Sequence, residues 1–236
     1  MQKLIAEVRD LLGIELNPAQ IEAFEAYRSE LITWNQKANL TAIIDPEQIR
    51  VKHFLDSTSC LLAMRGSPMT RVVDVGSGAG FPGIPLKIVC PTMQLVVIES
   101  IGKKADFLRH LVELLALEGV EILQDRAENL SHRPEHRERY DWAVARAVAR
   151  MPALMEYLLP YVRVGGHALA MKGETGPAEA QAADHSLDLL GGQLNQIIPV
   201  DLPEVPEERF LMVFNKMAAT PQNYPRRVGI PTKRPL

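Results

Sequence analysis

Apolar residues in the first part of the chain recur every three to four positions, which is the period of an amphipathic helix. The pattern begins with Leu4 and Val8, and Gly13 is a natural end for this first helix. Because only one side of the helix is apolar, we expect that side to pack against a core. A helical extension is predicted over residues 1–66.

The second helix of this extension has a well-marked beginning. Asn17 can cap it, Pro18 occupies its first position, and Gln20 has the spacing of a capping box. A third helix is predicted over 46–64, with Asp45 as its cap. The apolar side of the second helix consists of Ile21, Phe24, Tyr27, Leu31 and Trp34.

From Arg71 onward, short apolar runs alternate with helix-period segments, which is typical of an α/β domain with a parallel sheet and helical crossovers. The last two apolar runs have no helix between them and predict an antiparallel pair at the sheet edge. This Rossmann-like domain is predicted over 67–218. Helices are predicted near 82–90, 101–118, 150–160 and 177–190. Strands are predicted at 71–75, 95–99, 120–124, 141–145, 164–171, 193–200 and 210–217.

Amino-acid composition gives only a weak indication of the function of the protein. A length of 236 residues suffices for one α/β domain with an extension, and a formal net charge of −3 requires any nucleic-acid binding to come from local patches. Cys60 and Cys90 stand far apart in the sequence and predict free thiols in a reducing compartment. No apolar run reaches membrane-spanning length, so we expect a cytoplasmic protein with no membrane contact.

The run RVVDVGSGAGFPGIPL at 71–86 joins a predicted buried strand to a helix through a glycine-rich turn. Gly76, Gly78 and Gly80 allow a tight turn and the close approach of a ligand. The spacing differs from the dinucleotide fingerprint, because Phe81 stands where that fingerprint has its last glycine. The turn therefore predicts a nucleotide-like cofactor other than NAD.

Asp74, two residues before this turn, narrows the choice of ligand. A carboxylate there would oppose a pyrophosphate docked at a helix N-terminus, but it suits a ligand that carries an ammonium and a sulfonium group. S-adenosylmethionine has both cations and no phosphate. Asp74 can also accept hydrogen bonds from the amides of the turn, and the two roles are compatible.

Further candidate residues follow the next three predicted strands. Glu99 lies about twenty residues beyond the turn, where an acid can hold ribose hydroxyls, and Ser100 either adds a contact or caps the next helix. Ala127 and Glu128 lie where an adenine would reach, although Glu128 also suits a solvent-facing helix start. Arg146 ends the fourth strand and suits an anion or a base edge, with a salt bridge as the alternative.

The fourth strand also lacks two motifs of nucleic-acid methylation. It is followed neither by the Asn/Asp-Pro-Pro-aromatic turn of amino-group methylation nor by the nucleophilic cysteine of cytosine C5 methylation. A ring nitrogen with its own lone pair requires neither, and guanine N7 is such an atom. If the acceptor is such a nitrogen, which carries no proton, we expect in-line displacement without a general base, with rate gained from holding the reactants in line.

Seven motifs are spread across nearly the whole chain: NLT at 39–41, KHFLDS at 52–57, GSGAGFPGIPL at 76–86, ESxxKK at 99–104, AE at 127–128, ARA at 145–147 and YPRRxGxPxKxPL at 224–236. Together they resemble those of the bacterial 16S ribosomal RNA guanine-N7 methyltransferases, also called glucose-inhibited division protein B. The resemblance implies a class I methyltransferase fold, S-adenosylmethionine as donor, and one guanine in the decoding-region (530) loop of 16S rRNA as acceptor.

The same resemblance implies roles for individual residues. On the substrate side, Lys52 and His53 are expected to face the target nucleotide or its phosphates, and Asn39 and Arg146 to hold the target base. A purely structural role is the alternative for Asn39 and His53. The positions that fall on cofactor contacts are Gly76, Phe81, Ala127, Glu128 and Arg146.

The segment 219–236 is rich in proline and basic residues and predicts an extended tail. Its cations alternate with prolines and have no acid beside them in the sequence, which favours contact with RNA. Lys103, Lys104 and Arg109 could add to the basic surface of the tail, but for most of them a solvated helix face is favoured. The predicted RNA-contacting residues of the tail are Arg226, Arg227, Lys233 and Arg234.

The expected partner is 16S rRNA or a precursor of the small ribosomal subunit, and the expected state is a monomer. Two other functions stay open from the sequence: methylation of a small metabolite, and a non-catalytic role as a cofactor-responsive RNA-binding assembly factor. A dehydrogenase is the least favoured, because the glycine spacing does not fit NAD.

Overall fold

The computed structural model describes residues 1–236 and contains one seven-stranded sheet. The strand order is β3-β2-β1-β4-β5-β7-β6. The first five strands in the chain run parallel, whereas β7 is antiparallel to both β5 and β6. The strands are β1 Arg71–Val75, β2 Gln94–Ile98, β3 Val120–Leu123, β4 Tyr140–Arg146, β5 Val162–Lys172, β6 Gly192–Val200 and β7 Arg209–Lys216.

Twelve α-helical segments and one π-helical segment, Arg50–Leu55, accompany this sheet. The helices before the sheet are α1 Gln2–Leu12, α2 Pro18–Ala38, α3 Pro46–Ile49, α4 Asp56–Thr58 and α5 Leu61–Met64. Those that follow are α6 Gly83–Val89, α7 Gly102–Leu114, α8 Ala127–Leu130, α9 Met151–Leu158, α10 Gly176–Gln181, α11 Asp184–Leu190 and α12 Ile230–Lys233.

The two faces of the sheet bury separate cores, because successive residues of a strand point to opposite sides. Val72 and Trp142 belong to the core shared with α1, α2, α6 and α7, whereas Val73 and Ala143 belong to the core shared with α9 and α11. The α/β class, the mostly parallel sheet and the antiparallel edge are thus confirmed, and the N-terminal helices share their core with one face of the sheet.

The predicted third helix is interrupted, and this affects the functional region. Its middle forms the π-helical segment, in which Arg50 is only 2% exposed. The guanidinium of Arg50 contacts carboxylates from Glu7 on α1, Glu47 on α3 and Glu204 in the loop before β7. This segment carries Lys52 and His53, so two distant parts of the chain, α1 and the loop before β7, help to fix its position.

Three other boundaries differ from the predicted ones. Helix α7 ends at Leu114, because Ala116 adopts a left-handed conformation with φ of 48°. The predicted helix over 177–190 is divided into α10 and α11. The tail contains the short helix α12 and packs against the sheet domain. None of the helices has the combined length and apolar character needed to cross a membrane.

Candidate active site

Asp74, in β1, holds the glycine-rich turn that follows this strand through hydrogen bonds. This carboxyl group is fully buried, and its Oδ2 accepts hydrogen bonds from the Ser77 hydroxyl and from the Gly83 amide at 2.8 Å. Its Oδ1 has no hydrogen-bond partner. Burial raises the pKa of Asp74 to about 6, while the hydrogen bonds from Ser77 and Gly83 and the charge of Arg146 act in the opposite direction. Asp74 thus ties β1 to the start of α6.

A second carboxylate orders the turn from the neighbouring strand. Glu99 accepts a hydrogen bond from the Gly78 amide at Oε2 and another from the Ile101 amide at Oε1, each at 2.8 Å. Its side chain is almost fully buried. Glu99 therefore joins the glycine-rich turn to the start of α7, at the position where the sequence predicts an acid for ribose hydroxyls.

A cleft of about 250 Å³ opens beside this turn, at the carboxyl ends of β1, β2 and β3. Four of the predicted cofactor-binding residues line it: Gly76, Ser100, Ala127 and Glu128. The other six predicted residues do not line it. Arg146 ends β4, and the rest lie in or beside the glycine-rich turn: Asp74, Gly78, Gly80, Phe81 and Glu99. The other lining residues are Val75, Ile98, Asp125, Arg126, Val148, Tyr157, Val228, Gly229 and Thr232.

The C-terminal tail forms one wall of this cleft, which the sequence did not indicate. The Gly229 amide donates a hydrogen bond to Glu128 Oε1 at 2.9 Å, and the hydroxyls of Thr232 and Tyr157 are 2.8 Å apart. Residues 228–232 therefore close the cleft over α8 and α9. The basic tail and the cleft are parts of one structure rather than separate binding regions.

Arg226 has a different setting from the one the sequence suggests. Its guanidinium makes a bidentate ion pair with Glu156 on α9, with hydrogen bonds of 2.9 Å and 2.6 Å. The backbone amide of Arg226 also donates a hydrogen bond to this carboxylate, at 2.7 Å. Glu156 is fully buried. Arg227, Lys233 and Arg234 are exposed and form no ion pairs. The tail thus has one cation that anchors it and three that face solvent.

Arg146, at the end of β4, is the centre of a second group of side chains. One guanidinium nitrogen donates to the Lys52 carbonyl at 2.9 Å and to Asp56 Oδ2 at 3.2 Å, and the other lies 3.1 Å from His53 Nδ1. The guanidinium also lies 4.7 Å from the centre of the Phe81 ring. Phe81 is therefore buried beneath Arg146 rather than in the cleft.

Both ring nitrogens of His53 lie within hydrogen-bond distance of protein groups. Nδ1 is 3.1 Å from an Arg146 guanidinium nitrogen, which can only donate, and 3.1 Å from the Lys52 carbonyl, which can only accept, so these two contacts call for opposite tautomers. Nε2 is 2.9 Å from the Thr41 hydroxyl, which can donate or accept. Burial, with the nearby charge of Arg146, lowers the pKa of His53 to about 3. The ring is neutral and stacks on Phe81 at 4.3 Å. Each ring nitrogen therefore already has a partner within the protein.

A second cavity, of about 350 Å³, adjoins this group. Its polar lining is dominated by cations, among which Asp56 is the single carboxylate. Asp56 Oδ1 makes no hydrogen bond within the protein. The lining residues are Ile43, Lys52, His53, Asp56, Arg146, Ala147, Met171, Lys172, Gly173, Arg209, Phe210 and Leu211.

One short segment separates the two cavities. Arg146 and Ala147 line the second cavity, and Val148 lines the first, where it packs over Gly76. Ala147 has a φ of 54°, a conformation that is rare outside glycine. Two binding spaces therefore meet across three residues at the carboxyl edge of the sheet.

Gly76 is required at this wall on two grounds. Its φ is 70°, and a Cβ there would lie 2.9 Å from Val148 Cγ2. We expect Gly76→Ala to push Val148 into the first cavity and to weaken S-adenosylhomocysteine binding about tenfold, measured by isothermal titration calorimetry. Gly13, with φ of 65° and open space around it, is the matched control, because Gly13→Ala adds only backbone strain of about 1–3 kcal/mol. Equal affinities in the two variants would contradict this assignment.

The pKa of Asp74 makes stability depend on pH in a defined direction. Since its native pKa of about 6 exceeds the ordinary 3.8, the native state binds more protons than the unfolded state between these values. The contribution of Asp74 to the free energy of unfolding therefore falls as pH rises from about 4 to about 6. In urea denaturation, the stability of Asp74→Asn relative to the wild type is therefore expected to increase as the pH rises from about 4 to about 6. A difference that does not vary with pH would contradict the shift, and Asp10→Asn on the surface serves as control.

Asn39 lies at the exposed end of α2, with φ of 47°, and lines neither cavity. The turn beside it is organised by Asn35, whose side chain accepts hydrogen bonds from the Leu40 and Thr41 amides. A role for Asn39 toward the base stays a prediction.

Two basic residues of the second cavity were not among the predicted site residues. Lys172 ends β5, and Arg209 begins β7. Because β7 is antiparallel, its first residue lies at the same edge as the last residues of the parallel strands. A basic residue just before the final predicted strand is the sequence signal that would have revealed Arg209.

The first cavity fits S-adenosylmethionine by the chemistry of its walls. A Cβ at Gly76 would fill part of it, and the nearby carboxylates of Asp74 and Glu99 carry the charge opposite to that of a sulfonium and an ammonium. Ser100 and Glu128 provide polar atoms along the same cleft, and Val75, Ile98 and Val148 provide an apolar wall.

This strand order and the glycine-rich turn define a class I methyltransferase fold. The structure is similar to a SAM-dependent methyltransferase from Aquifex aeolicus, with a TM-score of 0.52, 17% identity, and coverage of 72% of this chain and 93% of that one. It is also similar to precorrin-6y C5,15-methyltransferase from Geobacter metallireducens, with a TM-score of 0.51, 13% identity, and coverage of 68% and 87%.

Sequence comparison identifies the family within this class. Residues 20–204 match the family model described as GidB, rRNA small subunit methyltransferase G. The chain is 48% identical over 224 residues to the ribosomal RNA small subunit methyltransferase G of Roseiflexus castenholzii, covering 95% of each. It is 44% identical over 235 residues to that of Halalkalibacterium halodurans, covering 98% of this chain and 99% of the relative. The chain belongs to the rRNA small subunit methyltransferase G family and is a methyltransferase.

Proposed function

We propose that this enzyme transfers a methyl group from S-adenosylmethionine to N7 of a guanine in the 530 loop of 16S rRNA. The observation that carries this proposal is the pair of cavities that meet at Arg146–Val148. One has the walls for the cofactor, and the other, lined by cations, has the size and charge for a nucleotide. The names of the relatives, which specify small-subunit ribosomal RNA, support the acceptor class.

When bound, the cofactor supplies a methyl group activated by attachment to a sulfonium. Gly76, Ser100, Ala127 and Glu128 would hold it along the cleft, and Asp74 and Glu99 would act by ordering the turn and by their negative charge. The contribution of the protein to the rate would be orientation, since guanine N7 already has a free lone pair.

The residues around the second cavity are suited to holding and reading a guanine. Asp56 Oδ1 has no partner in the protein, and a carboxylate can accept hydrogen bonds from guanine N1–H and the N2 amino group. Arg209, which forms no ion pair, can meet O6 or a phosphate, and Lys52 can do so by exchanging its exposed partner Glu207. His53, which packs against Arg146 and has partners at both ring nitrogens, would position Arg146 and would not remove a proton. Adenine lacks the two donors that Asp56 would read.

The decisive test is incubation of the purified enzyme with labelled S-adenosylmethionine and either naked 16S rRNA or small ribosomal subunits, followed by chemical cleavage at 7-methylguanine. We expect one enzyme-dependent cleavage site, in the 530 loop. The same reaction with Asp56→Asn tests guanine recognition, because the amide replaces one acceptor with a donor. Transfer to small metabolites with no labelled ribosomal RNA would support the small-molecule alternative instead.

A further inference from the structure

A third cavity, of about 470 Å³, lies outside the two already described, between the end of α2 and the first half of α7. Neither the cofactor nor the target base is assigned to it. Most of its lining residues are polar or charged, and one has a large aromatic ring. The lining residues are Thr33, Trp34, Lys37, Ala38, Lys103 and Asp106.

The aromatic ring is held in a fixed position. The Trp34 indole stacks on His110 with 5.1 Å between ring centres and packs against Phe107 at 5.6 Å. His110 is in turn held by Glu30, with 2.7 Å between Nε2 and Oε2. Trp34 is nevertheless partly exposed, so it offers a rigid aromatic surface at the cavity.

The charges around Trp34 are predominantly positive. Lys37 and Lys103 are exposed, and neither forms an ion pair or a side-chain hydrogen bond. The single acid, Asp106, is bound by Arg109 at 2.7 Å. Two free ammonium groups beside an aromatic ring are the combination with which proteins bind single-stranded nucleic acid, by stacking a base and neutralising phosphates.

The chain itself connects this cavity to the second one. Ala38 lines the third cavity, and five residues later Ile43 lines the second. Between them, the Thr41 hydroxyl is within hydrogen-bond distance of His53 Nε2. Five residues of extended chain span at most about 17 Å, so the two cavities are within reach of a few nucleotides of one strand. A strand whose guanine enters the second cavity can place a neighbouring base at Trp34.

We propose that the third cavity binds a nucleotide of the single-stranded RNA that flanks the target guanine. The base stacks on Trp34, and the adjacent phosphates contact Lys37 and Lys103. This inference rests on the proposed function, since it supplies a binding site for the RNA that the function requires. Lys103 thus serves the substrate, whereas the sequence alone favoured a solvated helix face.

Binding of naked 16S rRNA, measured with varied salt, tests the charges. Each single-strand phosphate contact contributes about 0.7 to the slope of log K against log salt, so the variant with Lys37→Ala and Lys103→Ala should show a slope flatter by about 1.4. With small subunits as the substrate, this double variant should have a higher KM and an unchanged kcat. Arg9→Ala, which removes an exposed cation on α1, is the control and should leave the slope unchanged.

Trp34 gives an independent readout, because the only other tryptophan, Trp142, is buried. Titration with single-stranded oligouridylate should quench the intrinsic fluorescence of the wild type. Trp34→Ala should weaken 16S rRNA binding about tenfold, within the range for loss of one stacked base, and Trp34→Phe should restore most of it. Thermal unfolding shows whether Trp34→Ala is folded, and the lysine variant is informative in either case.

Wild-type affinity and salt slope in the lysine variant would overturn the inference. So would a loss seen only with whole subunits and not with naked rRNA, because it would assign the surface to a ribosomal protein. If the wild type methylates no ribosomal substrate, the proposed function fails. If the wild type methylates 16S rRNA and all the Lys37, Lys103 and Trp34 variants bind as it does, this inference alone fails.

Discussion

Arg146→Ala is expected to reduce kcat/KM for rRNA methylation by about 100-fold, the scale of the loss when reacting groups are misplaced by about 1 Å. The guanidinium joins the end of β4 to the π-helical segment and to α4 through its contacts with the Lys52 carbonyl, His53 and Asp56. It also lies at the segment that separates the two cavities. Arg146→Lys should lose most of the same activity, because one ammonium group cannot reproduce the planar set of contacts.

This substitution also affects stability, and a second variant separates the two effects. Without Arg146, the buried carboxylate of Asp56 has no ionic partner, and breaking a buried pair costs about 3–5 kcal/mol. Replacing Asp56 with Asn in the Arg146→Ala background removes that unpaired charge. The double variant should therefore recover thermal stability but not methylation.

Methylation of small subunits and thermal unfolding are the two measurements. Arg163→Ala is a suitable control, since Arg163 pairs with Asp141 near the start of β5, at the opposite edge of the sheet. Near-normal turnover in a folded Arg146→Ala enzyme would remove Arg146 from the mechanism.

Arg226→Ala is expected to have the second largest effect, on the cofactor site rather than on RNA. It leaves the fully buried carboxylate of Glu156 without its bidentate partner, which should cost about 3–5 kcal/mol of stability. Because the same ion pair anchors the segment that carries Gly229 and Thr232, the affinity for S-adenosylhomocysteine should fall as well.

Arg227, next in the sequence, provides the contrast. It is exposed and has no ion pair, so Arg227→Ala should leave stability and cofactor affinity near wild type and should flatten the salt dependence of rRNA binding. Calorimetry with S-adenosylhomocysteine and a salt titration of rRNA binding distinguish the two variants. Arg226→Ala with intact cofactor binding would show that the tail wall is dispensable.

The sequence was most informative where local patterns determine structure. The capping box at Asn17 and Gln20 is present, and all seven predicted strands occur within a few residues of their predicted positions. The glycine-rich turn lies beside the first cavity, as its conformational freedom indicated. His53 and Asp56, near helical spacing in the sequence, both contact Arg146.

Long-range packing accounts for what the sequence did not reveal. Nothing near Arg226 in the sequence identifies Glu156, which is 70 residues earlier and buried on α9. The alternation of cations with prolines predicted an extended tail that contacts RNA, and a linear pattern cannot show a remote partner such as Glu156. The wall formed by residues 228–232 and the cationic lining from Arg209 likewise depend on which strands become neighbours.

The tail wall has a consequence for how the enzyme comes into being. Synthesis proceeds from the N-terminus, so the parallel strands β1 to β5 and the glycine-rich turn are made well before residues 228–232. Until those residues fold back onto Glu128 and Tyr157, the cofactor cleft lacks a side. A nascent chain whose parallel strands have paired is therefore still without a finished cofactor site, and a chain that stops before Val228 would lack the contacts that close the cleft over Glu128 and Tyr157.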